Sequence, residues 1–117
     1  MGRINPKRLF TPAQLTAAEA TYYTPSLTLS VSCIVKKLTL TNTTAADVTV
    51  TIRVVPDLIT GSDVNALWNA VTVSANTTKD CPDIVNQVLN PGDSLKMLAS
   101  VAASVTAIGS GVEVFNR

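Results

Sequence analysis

The string Gly92-Asp93-Ser94-Leu95 spells the motif of one class of serine hydrolases, in which the serine attacks the substrate once a neighbouring base has taken its proton. The chain has 117 residues and no histidine, so the commonest general base and the commonest nitrogen ligand for a metal are both missing. The string also overlaps Asn90-Pro91-Gly92-Asp93. There the proline suits the second place of a reverse turn and the glycine the third, where φ is positive. A turn joining two strands accounts for the string, and no catalytic residue is assigned. Cys33 and Cys81 are too few to hold a structural zinc ion unaided. Asp57, Asp63, Asp80 and Asp83 fall in loops without calcium-loop spacing and are read as solvated carboxylates. No Gly-rich phosphate loop or basic-aromatic RNA-reading strand is found. Neither an enzyme nor a bound cofactor or metal is expected.

Composition narrows the partners. A formal net charge of +1 with 15% charged residues provides no basic field for nucleic acid. No apolar run approaches the roughly 20 residues needed to span a bilayer. The N-terminus MGRINPKRLF has charge but no apolar signal core, and Pro6 stands where a myristoylation motif wants Ser or Thr. Synthesis in the cytoplasm without a cleaved signal is expected, with no membrane partner. Under reducing conditions the two cysteines are expected as buried or half-buried free thiols. A disulfide between them would be worth roughly 4 kcal/mol by loop entropy if geometry permitted. Asn42-Thr43-Thr44 and Asn76-Thr77-Thr78 match the glycosylation sequon but are read as turn formers.

The elements that would carry these residues are strands. Ile34 to Pro56 reads as a β-hairpin: Val48, Val50, Ile52 and Val54 alternate with Thr49, Thr51 and Arg53, and Leu38 and Leu40 alternate with Lys37, Thr39 and Thr41. Val55 is an apolar residue on the outward parity, and Pro56 ends the pairing. Upstream, Leu27, Leu29, Val31 and Cys33 also alternate, and the parity slips between Cys33 and Lys37, which a bulge or a tight turn would explain. Ala13 to Ala20 is expected as a turn of helix or a connector into a strand near Ala18 to Thr24. Short strands are expected at Val71 to Ser74, Ile84 to Leu89, Ser94 to Ala99, Val101 to Ala107 and Gly111 to Phe115, with Gly109 and Gly111 as punctuation. Trp68 is read as a core or interface anchor ahead of any ligand-stacking role. With 46% hydrophobic and only 4% aromatic residues, a single aliphatic core follows. The fold class is all-β: an antiparallel β-sandwich, jelly-roll-like, at residues 13–117, with an extended N-terminal arm at 1–12. The arm has too little apolar content to fold back by itself. Its Arg3, Ile4, Lys7, Arg8, Leu9 and Phe10, together with Trp68, are the candidate interface residues.

Tyr23-Thr24-Pro25, Leu40-Thr41-Asn42-Thr43 and Pro91-Gly92-Asp93, in that order, resemble a family of small all-β virion proteins of tailed bacteriophages, over roughly Leu15 to Val114. Where many such proteins turn on a glycine after the first proline, this chain has Ser26-Leu27-Thr28-Leu29. The resemblance implies a repeated, non-enzymatic structural subunit of the virion, at head, neck or tail. Its expected partners are further copies of itself and other virion proteins such as capsid, connector or tail. The alternative, a carbohydrate- or receptor-binding sandwich module, has one Trp and two adjacent Tyr in place of an aromatic platform.

Overall fold

Apolar residues at every second position give a strand one buried face, and such faces close against each other in pairs. A computed structural model, which describes residues 3–59 and 63–115, shows how this chain does so. The strands are β1 (Arg3–Arg8), β2 (Ala13–Gln14), β3 (Ala20–Tyr23), β4 (Val31–Asn42), β5 (Val48–Val55), β6 (Ala66–Val73), β7 (Thr78–Asp80), β8 (Val88–Leu89), β9 (Ser94–Ala99) and β10 (Val105–Phe115). One sheet runs β1-β10-β4-β7, with β2 alongside β10 and β8 alongside β4, and the other runs β3-β9-β5-β6. Between them lies a core that includes Leu15, Val35, Leu38, Leu40, Val50, Ile52, Leu95 and Met97.

The antiparallel pairs are nested. β1 pairs with β10, β3 with β9, β4 with β7 and β8, and β5 with β6, and successive pairs alternate between the sheets. A double-stranded ribbon wrapped in this way is a jelly roll, so the all-β sandwich expected from the sequence is the observed fold.

Of the two explanations for the parity slip, a bulge and a tight turn, the structure has the bulge. Ser110 faces Lys37 and Gly111 faces Val35, leaving Lys36 as the extra residue. Burial then shifts from Val31, Cys33 and Val35 to Leu38, Leu40 and Asn42, because one inserted residue reverses every later side chain. The turn at Asn90 to Asp93 is also as expected, with Gly92 at φ 87° and Asp93 N–H bonded to Asn90 O at 3.0 Å.

Several expectations are corrected. β4 and β5 are strands, but they lie in different sheets and are not a hairpin: residues 43–47 arch from one sheet to the other. Alternation cannot distinguish an arch from a hairpin turn of the same length. Thr51 and Val55, placed on the outward parity, are buried. β6 irregularity accounts for Thr51, because Ala70 at φ 52° brings its N–H to Thr51 Oγ1 at 3.1 Å. Residues 13–20 contain no helix. β10 runs unbroken through Gly109 and Gly111. These glycines are places of close approach: a Cβ would stand 2.8 Å from Phe10 Cε1 at Gly109 and 2.7 Å from Ile34 O at Gly111.

Candidate assembly surfaces

The segment expected as an arm without a place on the domain forms a regular edge strand. β1 pairs with β10 from Arg3↔Phe115 to Arg8↔Ser110, and Leu9 N–H continues the ladder to Gly109 O at 3.0 Å. Backbone pairing supplies what the sparse apolar content did not promise, since a strand needs few apolar side chains when its neighbour offers an open edge. Leu9 then enters the core, and Phe10 lies across Gly109 with its ring 5.7 Å from that of Tyr22.

The candidate residues therefore separate. Leu9 and Trp68 are buried in the chain's own fold and Phe10 is half-buried, whereas Ile4, Lys7 and Arg8 are exposed. Arg3 begins the strand. By the alternation of an antiparallel ladder, Asn5 and Lys7 share the orientation of Leu9, so the Pro6 nitrogen faces away from β10. A proline there removes one donor from the free edge and hinders the addition of a further strand. What β1 offers a neighbour is its side chains.

Those side chains continue into rows across the outer face of the sheet. Pro6, Val112, Ile34 and Val88 form one row. Beside it run Ile4, Val114 and Ser32, and on the other flank Arg8, Ser110 and Lys37. Ile4 is 71% exposed, and Pro6 and Val88 are exposed as well. The face thus carries an apolar stripe bordered on one flank by the cations Arg8 and Lys37. A solvated sheet face ordinarily alternates to polar residues.

Under β1 lies a polar cluster that the sequence reading missed. Tyr23 on β3 donates its hydroxyl proton to Glu113 Oε2 on β10 at 2.5 Å, and Lys7 Nζ stands 3.6 Å from the same oxygen. Burial, followed by the bond to Glu113, holds the Tyr23 phenol far above its ordinary range. Burial also pushes the neighbouring Cys33 thiol up. A signal existed: Glu113 lies on the same parity as Gly111 within a β-rich run, and a charge on a buried row needs partners. Cys33 and Cys81 are both free and buried, and burial pushes the Cys81 thiol up too.

At the opposite edge, Trp68 is only 5% exposed and its indole N–H is bonded to Asp83 Oδ2 at 2.8 Å. Lys79 Nζ lies 6.0 Å from the ring centroid. The ring lines a cleft of roughly 530 Å³ with Leu67, Val71, Lys79, Asp80 and Pro82. With so little of its surface free, this indole does not form the flat platform on which a sugar would stack. Ser94 lies at the start of β9, its Oγ 3.4 Å from Thr24 Oγ1. No helix among the described residues is long and apolar enough to cross a membrane.

No protein-family profile matches the chain, and no curated protein matches it in sequence. Solved structures do match in fold. A chain from Bacillus endospore appendages, described as disulfide-linked pili, aligns at a TM-score of 0.59 and 15% identity, over 98% of this chain and 90% of that one. A chain of infectious bursal disease virus, Gx strain, aligns at 0.52 and 15% identity, over 98% of this chain and 33% of its own. A chain from T=1 particles derived from infectious bursal disease virus aligns at 0.53 and 13% identity, over 97% and 31%. This chain therefore spans about a third of the viral chains and nearly the whole of the pilus chain. At these identities the likeness is one of fold: neighbours from viral particles and pili share this all-β architecture.

Proposed function

We propose that this chain is a non-enzymatic structural subunit of a bacteriophage virion, made in the host cytoplasm and repeated on head, neck or tail. It contacts further copies and other virion proteins through its N-terminal strand. The observation that carries the reading is the outer face of the first sheet, where Pro6, Val112, Ile34 and Val88 line up beside exposed Ile4. Contiguous apolar surface of this kind is disfavoured on an isolated domain and is what a protein partner covers. The fold neighbours support the reading, since they come from pili and virus particles. So do the phage-like motifs at Tyr23-Thr24-Pro25, Leu40 to Thr43 and Pro91-Gly92-Asp93.

The test is to purify particles through a density gradient and quantify the chain against the major capsid protein by mass spectrometry. A fixed copy number per particle, lost when the gene is deleted, is expected. Recovery of the chain only in the soluble fraction would overturn the proposal.

A further inference from the structure

Three loops meet at one end of the sandwich, 24–30 between β3 and β4, 56–59 after β5, and 90–93 between β8 and β9. The third ties the other two together. Gly92 N–H bonds to Pro25 O at 3.1 Å, and Asp57 N–H bonds to Asp93 Oδ1 at 3.2 Å, while Asn90 N–H takes Asp93 Oδ2 at 2.9 Å. Within the first loop, Val31 N–H bonds to Ser26 O, Ser30 N–H to Leu27 O and Leu29 N–H to Ser26 Oγ. The backbone of this end is thus well tied, yet its side chains turn outward: Leu27, Leu29, Leu58 and Ile59 are all exposed.

Leu58 is the informative one. It is 96% exposed and sits at φ 67°, in the left-handed region. A branched side chain there is strained by about 1 kcal/mol or more, which glycine would avoid. Neither burial in this chain nor backbone comfort accounts for a leucine at that place; contact with another molecule would. Charge indicates which molecule. The three loops contain no lysine or arginine, and both oxygens of Asp93 are engaged by backbone N–H groups. Where copies crowd round a symmetry axis, each side chain meets its own equivalent, so cationic or anionic rows would repel while leucines pack. The other end cannot serve as the complement. Its loops, 16–19, 43–47, 74–77 and 100–104, are mainly Thr, Ala, Ser and Asn, with Val101 the one large exposed hydrophobic among the described residues there.

Resting on the reading of the chain as a repeated subunit, we propose that copies of it meet around a symmetry axis through this apolar end, with Leu27, Leu29, Leu58 and Ile59 as the contact. The occupant is a second copy of this chain in the same orientation relative to the axis, not a head-to-tail neighbour.

Sedimentation velocity of the full chain, with thermal unfolding run in parallel, tests this. The wild type is expected to form an oligomer of discrete mass. Leu27→Asp and Leu58→Asp should each raise its dissociation constant by at least about tenfold, as loss of a central contact does, with the melting temperature unchanged at dilutions where wild type and variants are both monomeric. Leu58→Gly should weaken assembly while matching or exceeding the wild-type melting temperature, a combination that a purely structural role for Leu58 would not produce. Val101→Asp, at the opposite end, should leave the oligomer intact. Persistence of the oligomer in Leu27→Asp/Leu58→Asp, or equal loss in Val101→Asp, would overturn the inference while the subunit reading stood. A monomeric wild type at high concentration would overturn it too, and the particle measurement would then decide separately whether the chain is a virion component.

Discussion

The two ends of this jelly roll are made of similar short loops, each tied by backbone bonds and by one polar side chain, and they differ in what they leave exposed. At the Thr- and Ala-rich end, Asn42 buries its carboxamide, donating to Ala46 O at 2.8 Å and Val73 O at 3.0 Å. It accepts from Thr44 N–H at 2.9 Å and Thr44 Oγ1 at 2.7 Å. One side chain thereby fixes the arch that carries the chain from the first sheet to the second. At the leucine-bearing end the loops are held by backbone N–H groups and by Asp93, leaving apolar side chains in solvent. The contrast separates residues that make the fold from residues that the fold presents.

Both ends depend on the core between them, and the largest effect should come from there. Ile52→Asp would place a charge with no partner at a site of zero exposure, a cost beyond about 4 kcal/mol that should prevent folding, read as loss of cooperative unfolding by circular dichroism. At the polar end, Asn42→Ala strands the buried Val73 carbonyl and removes partners from the half-buried Thr44 N–H and the Ala46 carbonyl. It should destabilise by about 2 to 4 kcal/mol in urea denaturation, and leave assembly of the folded fraction intact. At the apolar end, Gly92→Ala meets both a φ of 87° and Asp57 Cγ at 2.7 Å, and should cost about 1 to 3 kcal/mol. If Asn42→Ala disrupted assembly as strongly as Leu58→Asp, the division between the two ends would fail.

The smallest effect expected is a dependence on pH. Folding raises the affinity for protons of Tyr23, Cys33 and Cys81, whose ordinary values are 10.0, 9.0 and 9.0. Groups with a raised folded value contribute stability that is fully present below their ordinary value and is lost as pH climbs through the folded one. The melting temperature should therefore be flat towards neutral pH and decline above about pH 9. Tyr23→Phe and Cys33→Ala should each soften that decline. An unchanged slope in both would show that these groups are not what the alkaline loss reports.

Local geometry was legible in the sequence wherever one physical cause acted alone. Alternation marked β5, the parity slip between Cys33 and Lys37 marked a bulge or a tight turn, and Pro91-Gly92 marked the turn between β8 and β9. Pairing was less so, because the same five residues between β4 and β5 serve a hairpin or an arch between sheets, and only the competition among all strands decides. Thr51→Asp would be harmless by alternation, yet the approach of Ala70 N–H to Thr51 Oγ1 makes that site buried and sensitive. β1 was hidden by Pro6, which weakens strand propensity without preventing an edge position. Of the candidate interface residues, Ile4, Lys7 and Arg8 lie on exposed surface, whereas Leu9 and Trp68 are in the interior. In the sequence, Leu27 and Leu29 look like members of an alternating strand. Their outward place in a tied loop depends on Ser26 and on the β8–β9 turn, which lies distant in sequence.

Hydrogen exchange of the chain, free in dilute solution and within its assembly, tests the central claim most directly. A repeated subunit should keep the same deep protection in β4, β5, β9 and β10 in both states, and gain protection on assembly at residues 26–29, 56–59 and 3–8. Loops 43–47 and 74–77 should exchange alike in both. Equal exchange everywhere in the two states, or new protection confined to the polar end, would contradict the account.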